Sequence, residues 1–72
     1  MDNRTTKIYS LGRNIFKIRR ECGYSQNKLA EILDISREHL AKIETAKRTV
    51  SLDLLINIAH ALNVNVRDLI DF

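Results

Sequence analysis

The sequence contains no proline, no tryptophan, one cysteine and only two glycines among its 72 residues. Without proline, no backbone N–H is missing and no helix is forcibly broken. A lone cysteine excludes an internal disulfide, so apolar burial has to stabilise the fold. A chain this short buries only about 60% of its unfolded surface and forms one domain at most. No apolar run approaches the roughly 20 residues that span a membrane. The opening residues Met1 to Thr6 are polar, with no apolar signal-peptide core behind them. The unpaired Cys22 fits a reducing compartment, so a cytoplasmic protein is expected. The initial Met leads us to expect a whole small gene product rather than an excised domain. His39 and His60 lack partners at metal-ligand spacing. No nucleophile, base and orienting acid stand together, and no glycine-rich phosphate loop occurs. Neither an enzyme nor a cofactor, metal or small-molecule ligand is therefore expected.

Hydrophobic residues make up 44% of the chain, and the formal charge is +3. That charge permits a polyanionic partner without requiring one. Apolar spacing is helical nearly throughout, which predicts an all-α domain of five helices. Ile8, Leu11, Ile15, Ile18 and Cys22 fall on one face of a first helix, with Cys22 expected as a small core residue. Gly23 can end that helix in the left-handed conformation. Ser25 is a candidate N-cap for a helix over Gln26 to Leu33, and Ser36 for one over Arg37 to about Thr45. Between them, Asp34 tolerates a left-handed turn and Ile35 plugs the core. Ser51 caps a fourth helix with the stripe Leu52, Leu55, Ile58, Ala59 and Leu62, and Asn63 closes it. Asn65 and Asp68 are spaced as a capping arrangement for a last short helix carrying Leu69, Ile70 and Phe72. Residues 1–7 are expected as a polar N-terminal arm and residues 8–72 as the folded domain.

The informative stretch is Ser25 to Glu44: two short capped helices separated by a tight turn. Ala30 is small enough to let the two cross closely, and Ile35, Leu40 and Ile43 fix the second against the first. That arrangement projects the start of the second helix outward, where it can enter a major groove. The chain resembles the phage-repressor and Cro-type family, also called xenobiotic-response-element helix-turn-helix proteins. The resemblance runs from about Leu11 to Leu69. It rests on Ile15, Arg19 and Gly23-Tyr24-Ser25-Gln26 with Leu29-Ala30, then Ile35-Ser36, Leu40 and Ile43-Glu44. It continues through Ser51-Leu52, Leu55, Ile58-Ala59 and Ala61-Leu62-Asn63-Val64. Asp34 and Ala46 stand where the family usually has glycine, and Val50 where proline is common. The first two put a side chain where glycine would take positive φ freely, and alanine tolerates positive φ poorly.

The resemblance implies a compact lambda-repressor-like fold and a transcriptional regulator that binds double-stranded DNA. It gives Ser36, Arg37, Glu38 and Lys42 as candidates for base contact. Arg37 can bond guanine O6 and N7, and Glu38 can accept from cytosine N4. Ser25, Gln26, Asn27, Thr45, Lys47, Arg48 and Thr49 are candidates for phosphate contact. Arg19 and Glu44 are implied as a structural ion pair. A domain of this size reads a short half-site, so a homodimer on a palindrome is expected. Leu54, Ile56, Val66, Ile70 and Phe72 are the surplus apolar residues available for its interface. A controller protein of a restriction–modification system and a small repressor both fit. The alternatives are a protein-interaction module or antitoxin that keeps the fold, and a non-specific nucleic-acid binder.

Overall fold

The computed structural model describes residues 3–72. They form five helices and no strand: α1 (Asn3–Glu21), α2 (Gln26–Leu33), α3 (Arg37–Glu44), α4 (Leu52–Ala61) and α5 (Val66–Leu69). This is the five-helix, all-α architecture that the apolar periodicity predicts, in the compact lambda-repressor-like form that the resemblance implies. α3 packs on α1 and α2, α2 also packs on α4, and α5 closes the bundle against α1 and α4. Each helix contributes one wholly buried aliphatic side chain: Ile15, Leu29, Leu40, Ile58 and Leu69. Burial of such a side chain contributes about 1.5–3 kcal/mol, so these five anchor the core.

Three serines start three helices. The Oγ of Ser25, Ser36 and Ser51 accepts from the backbone N–H of Lys28, His39 and Leu54 at 3.0, 3.0 and 3.1 Å. Before α5, the Asp68 carboxylate accepts the Asn65 N–H at 2.9 Å. Four helices end the same way, with one left-handed residue: Gly23 (φ 81°), Asp34 (57°), Ala46 (61°) and Asn63 (58°). In each, the next residue's N–H reaches back five positions: Tyr24 to Arg19, Ile35 to Ala30, Lys47 to Lys42 and Val64 to Ala59, at 2.8–3.1 Å. This closure satisfies carbonyls that a helix end would otherwise leave open. Tyr24, Ile35 and Val64 then pack against the core, as such residues commonly do. Lys47, in the same position after α3, is exposed.

The structure changes several expectations. Residues 1 and 2 of the expected arm lie outside the described residues, and from Asn3 onward the segment is α1. Once a helix exists, each added residue gains a hydrogen bond, and no proline or glycine stops the helix before Gly12. Cys22 is exposed, not a core residue. α1 ends one residue earlier, which leaves its thiol at the rim, 3.6 Å from the Leu62 carbonyl. Leu52 is 68% exposed because it is the first residue of α4 and overhangs the packed region. α5 ends at Leu69, so Ile70 and Phe72 lie beyond it.

Gly12 was not singled out by its sequence, yet it sets a close contact between two helices. A Cβ there would lie 2.6 Å from the Ile43 carbonyl oxygen and 2.8 Å from that of Glu44. The backbones of α1 and α3 therefore touch where Gly12 passes the end of α3. Gly12→Ala gains about 1 kcal/mol of helix propensity. The steric cost against rigid backbone exceeds that gain, and a net loss of about 1–3 kcal/mol is expected in urea denaturation. Unchanged or raised stability would mean that the two helices can separate freely.

Candidate nucleic-acid interface

α3 has eight residues, too few to be stable alone, so its position is set by what holds it. Leu40 and Ile43 are buried beneath it. Its last residue, Glu44, is buried and faces Arg19 of α1. Arg19 Nε donates to Glu44 Oε2 at 2.7 Å, and Nη2 donates to Oε1 at 3.1 Å. This two-point geometry fixes orientation as well as distance. Arg19 Nη1 donates to the Tyr24 carbonyl at 2.8 Å, which ties the α1–α2 turn into the same network. The Arg19 guanidinium also lies 5.3 Å from the Phe16 ring centroid. Among the described residues no buried side-chain polar atom lacks a hydrogen-bond partner.

Gln26 belongs to this network as well as to the surface. Its Nε2 donates to Glu44 Oε1 at 2.9 Å. The carboxylate only accepts, so the amide nitrogen must face it. The amide's second hydrogen stays available to an outside acceptor. The start of α2 is thus coupled directly to the end of α3.

The candidate DNA-contacting residues fall on one continuous face. Ser25, Gln26 and Asn27 line a groove with Arg37, and α1 contributes Arg20 to it. Arg37 then borders a second depression with Glu38, Ala41, Lys42, Thr45 and Lys47. Lys47 in turn borders a third, with Arg48 and Thr49. Arg37 and Lys47 are the shared walls, so the surface runs unbroken along α3 from the start of α2 to the loop after α3. Ser36 lines none of these depressions, and its Oγ is engaged as the cap of α3. The cations of this face outnumber Glu38, its one carboxylate. Arg20 was not among the candidates drawn from the sequence, because it lies outside the Ser25 to Glu44 stretch.

The apolar residues reserved for a dimer interface divide into two groups. Leu54 and Val66 are half-buried and pack against the core. Ile56, Ile70 and Phe72 are 48%, 44% and 49% exposed. They lie on or just beyond α4 and α5, which pack together.

A family model described as helix-turn-helix matches residues 15–69. Control protein C.BamHI of Bacillus amyloliquefaciens is 46% identical over 48 residues, covering 67% of this chain and 59% of that protein. The crystal structure of the restriction-modification controller protein C.AhdI from Aeromonas hydrophila superposes with a TM-score of 0.85 at 28% identity. It covers 89% of this chain and 97% of its own. SinR, a master regulator for biofilm formation solved in complex with DNA, superposes with a TM-score of 0.77 at 32% identity. That match covers 82% of this chain and 95% of SinR. The chain spans about half the length of the curated relatives it matches: 45% of an HTH-type regulator of Rickettsia conorii, and the 59% of C.BamHI.

Breaking one side of a buried pair leaves the other charge unpaired, at a cost of about 3–5 kcal/mol. Glu44→Ala is expected to lose that amount, read as a large drop in thermal midpoint by circular dichroism. Replacing both partners, Arg19→Met with Glu44→Leu, removes the unpaired charge and is expected to be more stable than Glu44→Ala alone. Equal stability of wild type and Glu44→Ala would mean the pair contributes nothing.

Proposed function

The chain belongs to the helix-turn-helix family of DNA-binding regulators, and on that premise we propose that it is a sequence-specific transcriptional regulator acting in the cytoplasm. It binds a palindromic operator as a homodimer, in the manner of a small repressor or a restriction–modification controller protein. The family is one of regulators rather than enzymes, and no residue is assigned a catalytic role.

One observation carries the reading: a single basic face, centred on an α3 whose far end is locked to α1. A helix of eight residues is about 12 Å long, comparable with the width of a B-DNA major groove. On this reading Ser36, Arg37, Glu38 and Lys42 meet base edges. Arg37, the first residue of α3, bonds guanine at two points in this reading. Glu38 is repelled by DNA unless it is paired, so it discriminates between sequences more than it adds affinity. Ser25, Gln26 and Asn27 hold phosphates on one side of the groove, and Thr45, Lys47, Arg48 and Thr49 on the other. Exposed Ile56, Ile70 and Phe72 supply the contact between two copies. The likeness to C.BamHI and C.AhdI supports the controller-protein form of this reading.

Selection from a random duplex pool at about 150 mM salt tests it. The expected result is a two-fold symmetric consensus with guanine at a fixed place in each half-site. Arg37→Ala is expected to lose about 1–3 kcal/mol of discrimination at that guanine. Retention of DNA with no consensus would sink the sequence-specific reading. The homodimer has its own test in sedimentation at micromolar concentration. Wild type is expected to run as a dimer, and Ile56→Lys with Phe72→Lys as a folded monomer. A wild-type monomer would count against the interface.

A further inference from the structure

We infer that the first turns of α1 form a further DNA-backbone site, in which Arg4 binds a phosphodiester together with Lys47 and Arg48. The inference rests on the DNA-binding reading and adds to it a segment that precedes the matched family region. Arg4 and Tyr9 lie outside residues 15–69.

A cavity of about 320 Å³ lies between the start of α1 and the loop after α3. One wall carries Arg4 and Tyr9, and the other carries Lys47 and Arg48. Arg4, Thr5, Ile8 and Tyr9 reach it together because residues one turn apart share a helix face. More than forty positions of sequence separate Arg4 from Lys47 and Arg48, so only the fold brings these three cations together. Among the described residues no carboxylate lines the cavity. Among the described residues Arg4, Lys47 and Arg48 form no ion pair. Three like charges around one space repel each other until an anion enters. Tyr9, 53% exposed, adds a hydroxyl that can donate to a phosphate oxygen.

Continuity identifies the anion. Lys47 borders both this cavity and the depression beside Arg37 and Lys42. A duplex seated on α3 therefore carries its backbone past Lys47 toward Arg4. A phosphate there sits beyond the end of α3 and reads no base, so it contributes affinity and position only.

The test is binding of the full chain to a fluorescent mixed-sequence duplex across a salt series. A phosphate contact contributes about 0.9 to the slope of log affinity against log salt. Arg4→Ala is expected to lower the slope by about that amount and to weaken binding about fivefold at moderate salt. Arg4→Lys keeps most of both. Arg67→Ala removes the same charge from α5 and is expected to leave the slope unchanged. A wild-type slope in Arg4→Ala, or an equal loss in Arg67→Ala, overturns the Arg4 site while leaving the DNA-binding reading intact. A folded wild-type chain with no salt-dependent affinity for the duplex overturns both.

Discussion

The contact between α1 and the end of α3 is the constraint on which the rest of the molecule depends. Gly12 lets the two backbones touch, and about two turns along α1, Arg19 grips Glu44 at two points. The ion pair is not the main source of stability. Desolvating two charges costs about as much as their attraction returns, whereas each buried aliphatic contributes outright. What the pair supplies is direction. A short helix resting on Leu40 and Ile43 alone can slide or rotate on a greasy surface. A bidentate pair, joined to Gln26 and the Tyr24 carbonyl, permits one rotation and one register. A helix proposed to present Arg37 to a base edge needs that restriction more than it needs extra stability.

Much of this was legible in the sequence because the signals are local. Ser25, Ser36 and Ser51 stand just before apolar periods, and each is a cap in the structure. The stripes of α1 to α4 give the core, since spacing of three and four leaves little choice of inner face. What was not legible depended on where elements end or on what lies opposite. Cys22 continues the α1 stripe by count, but the helix stops before it. Leu52 fits the α4 stripe by count, but as the first residue of the helix it stays 68% exposed. Leu54 and Val66 looked surplus until the packing of α4 and α5 used them. Gly12 carried one signal, a glycine inside a helix, which costs about 1 kcal/mol unless something needs the space. Its reason lies thirty residues away in the α3 backbone.

The face itself was legible as a list of residues and not as a surface. A net charge of +3 says little about a binding site. The arrangement says more: Arg20, Arg37, Lys42, Lys47 and Arg48 come from two helices and a loop, and shared walls at Arg37 and Lys47 join them. The buried Arg19 contributes to position rather than to this surface charge, because Glu44 neutralises it. A chain can thus be nearly balanced overall and still offer one strongly positive side. Within a screening length of about 8–10 Å, the local arrangement governs how a polyanion approaches.

The four matching helix ends explain how that face extends beyond α3. Each end uses one left-handed residue and then sends the next residue in a fixed direction. After α1, α2 and α4 that residue is Tyr24, Ile35 or Val64, and it turns inward to the core. After α3 the same geometry delivers Lys47, which stays outside on the basic face. The left-handed residue there is Ala46, the least tolerant of the four, at a strain of about 1–2 kcal/mol. The inward-turning ends recover their cost through apolar burial. The α3 end has no such compensation within the protein, so its geometry is maintained by the backbone bond from Lys47 N–H to the Lys42 carbonyl at 2.8 Å and by the anchored α3 behind it. A strained turn whose next residue stays outside, placing a cation where the groove continues, is better explained by binding than by folding.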